Sequence, residues 1–290
     1  MKATKKPFEN IAVLANPQIP AAVAKVSEVT RYVETYEAKT SGGALNDEAL
    51  RSQVEEGGFD LVIVLGGDGT VLRAGHLCAI HNTPLLAINM GSFGFLIEVA
   101  EDAWKEHIDQ LMRGDYWVEK RMMLNTQIYR GEERLGAWDV LNDTVIARGN
   151  ELRPVLLSAS LDGQAVTTYV VDALIVATPT GSTAYALAAG GPILPPELRN
   201  ILLMPVAPHL SIDRGIVLAE GSTVDVTVLS DRQVVASGDG QFHLNLVKGD
   251  RVEVTASKYT VSFVRFQEVG YFYRNLVSLM DQHPSAGAKK

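Results

Sequence analysis

Up to about Arg121 the chain alternates short apolar runs with segments of helical period. Residues 11–15 (IAVLA) predict a buried strand, 21–35 a helix, and 46–56 a second helix with Asn46 or Asp47 as its cap. Residues 61–65 form an unbroken run of leucine and β-branched side chains that stops at Gly66 and Gly67. A run apolar on both faces fits a central parallel strand better than an edge strand. Residues 70–80 then predict a helix and 84–89 the next strand, which completes the β-α-β-α-β rhythm of a doubly wound, Rossmann-like α/β sheet.

Beyond Arg121 the pattern shortens to period two. Strands are predicted at 124–129, 155–161, 164–171, 222–229, 251–256 and 259–266, with Asp162-Gly163 as a hairpin turn between the second and third of these. This half reads as an all-β, sandwich-like domain. The division expected is an α/β domain over 1–120 and a β-sandwich-like domain over 121–270. A helix over 271–280 can pack back on the first domain, and a frayed tail covers 283–290.

The length of 290 residues agrees with two domains. A content of 47% apolar and 21% charged residues is that of a globular chain, and the net charge of −8 argues against nucleic-acid or anionic-membrane partners. No apolar stretch reaches the roughly 20 residues of a spanning helix, and the apolar run after MKATKKPFEN is too short for a signal peptide, so a cytoplasmic protein is expected. The single cysteine, Cys78, has no disulfide partner and reads as a packing residue.

Candidate chemistry begins at LVIVLGGDGT, where Gly66, Gly67, Asp68, Gly69 and Thr70 follow a buried strand at the end where α/β sheets bind ligands. Glycines on both sides of Asp68 let a phosphate approach the backbone and leave one carboxylate projecting. The following helix offers its N-terminus to an anion, and Arg73 can approach from its first turns. The plainer alternative is a strand-to-helix turn with an Asp cap. The loop is neither a Walker A sequence nor GxGxxG, which disfavours a dehydrogenase. No His/Cys cluster has metal-ligand spacing, and no Ser/His/Asp set stands in an elbow context.

GGDG resembles the nucleotide loop shared by NAD kinases, diacylglycerol and sphingosine kinases and phosphofructokinases. Four further segments are similar to NAD kinases alone: NMGSFGFL at 89–96, LNDTVIARG with Asn142 and Asp143, DALIVATPTGSTAYALAAGGP at 172–192, and SGDGQ at 237–241. LMPVAPHLSIDRGIVL at 202–218 also resembles a family segment, with Gly215 where proline is usual. The likeness runs from about Ile11 to Tyr273. Two other departures stand out: Ala173 replaces the glycine of DGL, and the pair at Asn142 is Asn-Asp rather than Asn-Glu, one methylene shorter toward a ribose.

Residue by residue, alternatives stay open. Asn142-Asp143 is either a turn between strands or a ribose-diol site. The Gly-Ser-Thr turn before Ala184 either exposes its amides and the Ser182 and Thr183 hydroxyls or caps a helix. The alanines at 184, 186 and 188 either admit a flat heterocycle or serve packing. Tyr185 can stack on a ring, Phe95 is core or an adenine-side wall, and His209 is a satisfied core histidine or a ligand contact. Asp239-Gly240 makes a hairpin turn by itself, with Gln241 the better ligand candidate.

The resemblance implies an NAD kinase that transfers a terminal phosphoryl group from ATP or polyphosphate to the 2′-hydroxyl of the adenosine ribose of NAD, in a cleft between the domains. It implies Asp68 as the base and Asp68-Gly69 at the reacting ribose. Asn142, Asp143, Asp172, Thr183, Ala184, Tyr185, Ala186, Leu187, Ala188 and Gln241 would hold NAD, with Arg73 and Arg153 as basic contacts. Mg²⁺ or another divalent metal would be held mainly by phosphates, and the assembly would be a homodimer or homotetramer. A lipid kinase and a non-catalytic NAD(H) sensor are the competing readings. The first calls for an apolar acceptor channel, and the second is disfavoured by Asp68.

Overall fold

In the computed structural model, which describes residues 8–91, 94–209 and 211–282, the chain forms two compact units, Met1–Lys120 with Val261–Lys290 and Arg121–Thr260. The tail expected at 283–290 lies outside the described residues.

In the first unit, β1 (Asn10–Ala15), α1 (Pro20–Glu34), β2 (Lys39–Ala44), α2 (Glu48–Glu55), β3 (Leu61–Gly66), α3 (Asp68–Ala79), β4 (Leu85–Asn89) and α4 (Trp104–Arg113) follow one another. The strands lie parallel in the order β2-β1-β3-β4. β3 is flanked on both edges and buried along its whole length, which is why its sequence is apolar without alternation. Its core joins Ile11, Val13, Leu61, Ile63, Leu86 and Ile88 to Val29 and Val33 of α1 and to Trp104, Ile108 and Leu111 of α4. Asp47 caps α2 by accepting from the Leu50 amide at 3.1 Å. Cys78 is fully buried in α3, and burial pushes its thiol up to about 12, so it packs rather than reacts.

β5 (Trp117–Arg130) carries the chain out of this unit, and β6 (Glu133–Val140), β7 (Asp143–Arg148), β8 (Val155–Leu161), β9 (Gln164–Val171) and β10 (Ala173–Ala177) follow. Next come the single-turn helix α5 (Tyr185–Ala188) and strands β11 (Asn200–Val206), β12 (Ile216–Ala219), β13 (Val224–Val228), β14 (Val234–Gly238) and β15 (Phe242–Leu246). β16 (Arg251–Arg265) leads back to the first unit, where α6 (Tyr271–Gln282) closes the described chain.

In the second unit, one antiparallel sheet has the order β12-β11-β10-β7-β14-β15. Facing it, the first residues of β16 pair with β13, β13 with β8 and β8 with β9, all antiparallel, beside the β5–β6 hairpin. Leu157, Val226 and Val254 from these strands pack on Ile146, Leu174 and Val176 of the first sheet, so the unit is a β-sandwich. In the first unit Phe263 of β16 pairs in parallel with Leu85 of β4, and Tyr271 and Phe272 of α6 are buried. Among the described residues no helix is long and apolar enough to cross a membrane.

The α/β rhythm, the sandwich and the hairpin turn at Asp162-Gly163, both at positive φ, are as the pattern predicts. Several elements differ. β16 is one strand where two were expected, and β5 starts before residue 124. β2 and α4 of the first unit, and β6, β7, β11, β12, β14 and β15 of the second, carried no expectation. β2 reads KTSGGA, which gives no apolar signal, because it is an edge strand that packs Gly42 under α1 and Gly43 toward Leu50 of α2. A β-carbon at Gly42 would stand 2.6 Å from Val26 Cγ1 and 2.9 Å from Thr30 Cγ2. Overpacking here predicts that Gly42→Val lowers stability by about 1–3 kcal/mol in urea unfolding. An unshifted midpoint would show that α1 yields freely.

Candidate active site

β3 ends at Gly66 and α3 begins at Asp68, so Gly67, with extended backbone, is the N-cap and Asp68 the first helical residue. The cap alternative for Asp68 therefore does not hold. Its carboxylate instead accepts N–H bonds from Phe95 at 2.8 Å and Leu96 at 3.2 Å, in the loop after β4. Gly94 permits this approach, since a β-carbon there would overlap the Asp68 carboxylate. Open space lies over Gly67 and Gly69. Arg73 returns along α3, its Nε donating to the Gly69 carbonyl at 3.2 Å. Asn16, at the end of β1, donates to Thr70 Oγ1 at 2.9 Å, and Asn89 brackets Gly91 by donating to its carbonyl and accepting from its amide. Phe95 is buried, which makes it core.

In the second unit three segments meet around one carboxylate. Asp239 accepts from the amides of Leu141 (2.7 Å), Asn142 (2.8 Å) and Asp143 (3.0 Å), and its own amide donates to the Asp143 carbonyl. Thr178 Oγ1 donates to the Leu141 carbonyl and accepts from the Gly181 amide. Gly181 is required by close approach, because a β-carbon would overlap the backbone of Asn142. Gln241 stands exposed in the turn that Asp239 begins. Asn142, Asp143, the 178–183 turn and Gln241 are thus brought together.

The turn's hydroxyls do not face outward as expected. Ser182 Oγ donates to Pro179 O at 2.6 Å and accepts from Leu194 N, and Thr183 Oγ1 donates to Thr180 O at 3.0 Å; both are buried. The amides of Ser182, Thr183 and Ala184 also bond within the turn. A tight turn satisfies its own polar groups when no solvent reaches them. Ala186 likewise departs from expectation, its methyl packing on Ile175 and Ala177. Ala184 and Leu187 are half-buried, whereas Tyr185 and Ala188 are exposed.

Asp172 and Arg153 are not part of this cluster. β10 pairs with β7 so that Ala177 faces Asp143 and Ala173 faces Ala147. Asp172 therefore lies at the other end of β10, about 17 Å away at the rise of a strand. There its carboxylate pairs with Arg148 Nε at 3.1 Å. Arg153 is exposed in the β7–β8 loop at the same end. His209 also lies there, its amide donating to the Val170 carbonyl, and it is exposed, so it is not a core histidine.

Gly94 in the first unit and Asp239 and Thr178 in the second were missed as organisers of the candidate residues around them. Their partners stand far off in the chain, 96 to 98 residues away for Asp239, so no local pattern points to them. Burial, and after it the Asp239 charge, pushes the Asp143 carboxyl up to about 7. No protein hydrogen bond among the described residues compensates it.

Two family models match the chain, one described as the ATP-NAD kinase N-terminal domain over residues 11–116 and one as the C-terminal domain over 141–266. The chain is 37% identical over 272 residues to the NAD kinase of Chloroflexus aurantiacus, across 93% of this chain and 98% of that one. It is 40% identical over 215 residues to the NAD kinase of Pseudomonas putida, across 73% of each. Yeast NADH kinase complexed with NADH matches with a TM-score of 0.81 at 22% identity, over 99% of this chain and 91% of that one. An NAD kinase from Archaeoglobus fulgidus in complex with ATP matches with a TM-score of 0.76 at 22% identity, over 94% and 99%. The two structural likenesses bear on the fold.

The Asp143 environment predicts a pH dependence of stability. A carboxyl raised from an unfolded value of about 3.9 favours the folded state in full below that value, and the contribution is lost as pH rises through about 7. Asp143→Asn removes the charge, so its stability relative to the parent should improve by about 1–4 kcal/mol between pH 4 and pH 8.5. Urea unfolding at the two pH values measures this, and parallel profiles for both proteins would refute it.

Proposed function

The chain belongs to the NAD kinase family, and from that premise we propose that Asp68 is the general base for phosphorylation of the adenosine ribose of NAD. The enzyme is a phosphotransferase that converts NAD to NADP with ATP. The observation that carries the assignment is the Asp68 carboxylate, held by two backbone amides at the carboxyl end of β3 beside the open backbone of Gly67 and Gly69. An ionised carboxylate is acceptor-only, which suits it to take the proton of a hydroxyl hydrogen-bonded to it.

In the step proposed, the ribose 2′-oxygen attacks the γ-phosphorus in line. The new O–P bond forms as the bond to the bridging oxygen breaks, the hydroxyl proton passes to Asp68, and ADP leaves. Phosphoryl transfer relies mainly on positioning and charge stabilisation, so few side chains are needed. Gly69 lies at the reacting ribose, and Arg73 contacts phosphate. Asn142, Asp143, Gln241 and the surface shaped by Thr183, Ala184, Ala186, Leu187 and Ala188 hold NAD, with Tyr185 presenting its ring. Asp172 and Arg153, at the other end of β10, make contacts remote from Asp143. Polyphosphate is a second donor of the same chemistry.

A divalent cation would be carried chiefly by the donor's phosphate oxygens and water, where it neutralises donor charge. A cytoplasmic homodimer or homotetramer is the assembly proposed.

Asp68→Asn tests the assignment. Asparagine matches the size but cannot take the proton, so kcat for NADP formation from NAD, ATP and Mg²⁺ should fall about 10²–10⁴-fold. The NAD dissociation constant should stay within a few-fold of the parent's. Replacing one amide acceptor should also cost about 1–3 kcal/mol of stability. A folded variant that turns over within threefold of the parent rate would leave Asp68 as a loop anchor only.

A further inference from the structure

Resting on Asp68 as the base, we propose that Arg265 is a positioning residue for it, acting through the loop at 94–96. Arg265 ends β16 and is 2% exposed. Its Nε donates to Glu119 Oε2 at 2.9 Å and its Nη1 to the Leu96 carbonyl at 3.0 Å. Leu96 is thereby clasped from two sides, since its amide donates to Asp68 Oδ1. One residue thus links the buried guanidinium to the carboxylate. The loop is fixed again two residues on, where Glu98 accepts from the amides of Phe266 and Gln267, the latter at 2.6 Å. Phe263 and Tyr271 hold the guanidinium between rings at 4.8 and 5.4 Å.

Stability alone is a weak reason for this pair. Burying both ions is costly, and replacing such pairs by apolar residues of similar volume is often neutral or stabilising. Arg265 Nη2 has no hydrogen-bond partner among the described residues, which adds to the cost. What the arrangement supplies is geometry: a planar donor that meets Glu119 and the Leu96 carbonyl at once, which a lysine ammonium does not reproduce. Without it the Leu96 carbonyl loses its partner, and the amides that orient Asp68 are free to shift.

The test uses the full chain with Arg265→Met combined with Glu119→Gln, so that no unpaired buried charge remains, and Arg265→Lys beside it. A displacement near 1 Å at a reacting group can cost on the order of 100-fold, so kcat of the double variant should fall about 30- to 100-fold with KM for NAD within about threefold. Arg265→Lys should fall between it and the parent. Hydrogen exchange in peptides covering 94–97 should speed up in the folded variants, a change that general destabilisation with a single cooperative transition does not confine to that loop. A folded double variant with kcat within threefold of the parent, or with unchanged exchange at 94–97, overturns the proposal. Should the double variant not fold, Arg265→Lys decides on the same two readouts. If Asp68→Asn retains activity, the assignment of the base fails. If it is inactive while the Arg265 variants are not, only the role of Arg265 fails.

Discussion

A carboxylate that collects backbone amides from a distant loop is the device on which the candidate residues of each unit depend. Asp68 does this for Phe95 and Leu96, and Asp239 does it for Leu141, Asn142 and Asp143. Loops at the ends of strands carry amides without ladder partners, and a buried amide left unpaired is costly. Gathering several of them on one ionised group makes charge-assisted bonds that are shorter and stronger than neutral ones. The loop then takes one conformation, and the side chains it carries take fixed directions.

The two devices share the triplet Gly-Asp-Gly but use it differently. At 67–69 the aspartate opens a helix, and the close approach is permitted by a third glycine, Gly94, on the loop it binds. At 238–240 the aspartate itself takes positive φ in a hairpin turn, followed by Gly240 at φ 65°. Asp239 also has an electrostatic consequence that Asp68 does not share in the same form. Its charge stands beside the buried Asp143 carboxyl and adds to the burial that disfavours ionisation there. In the reading proposed, donation from ribose hydroxyls would supply what the protein withholds and would couple ligand binding to the charge of Asp143.

How much of this was legible in the sequence follows from how local each feature is. β1, β3 and β4 were readable because strands buried on both faces need unbroken apolar runs. β2 was not, because its packing surface under α1 is glycine and leaves no hydrophobic trace. α4 left only a narrow stripe, Trp104, Ile108 and Leu111, in a charged segment. The 172–192 string read as a single patch, whereas an extended strand carries Asp172 about 20 Å from the turn at 178. The direction of the Ser182 and Thr183 hydroxyls was misjudged for a related reason. Exposure of a turn's polar groups depends on what covers it, here the segment through Leu194.

That inward turn changes how recognition has to work. Since the hydroxyls of Ser182 and Thr183 and the following amides are satisfied internally, they cannot be the groups that bind NAD without breaking bonds already made. Their contribution is to hold a shape: Gly181 pressed against Asn142, Ala186 anchored in the core, and Tyr185 left exposed on a single helical turn. A surface held this way loses little further conformational entropy when a ligand docks, so few direct polar contacts can suffice for affinity. The same reasoning applies in the first unit, where Arg265, Leu96 and Asp68 form a relay of fixed groups that ends on the carboxylate proposed as the base. Asp68, Asp239, Thr178 and Arg265 each hold a stretch of backbone still, which suits a reaction in which orientation does most of the catalytic work.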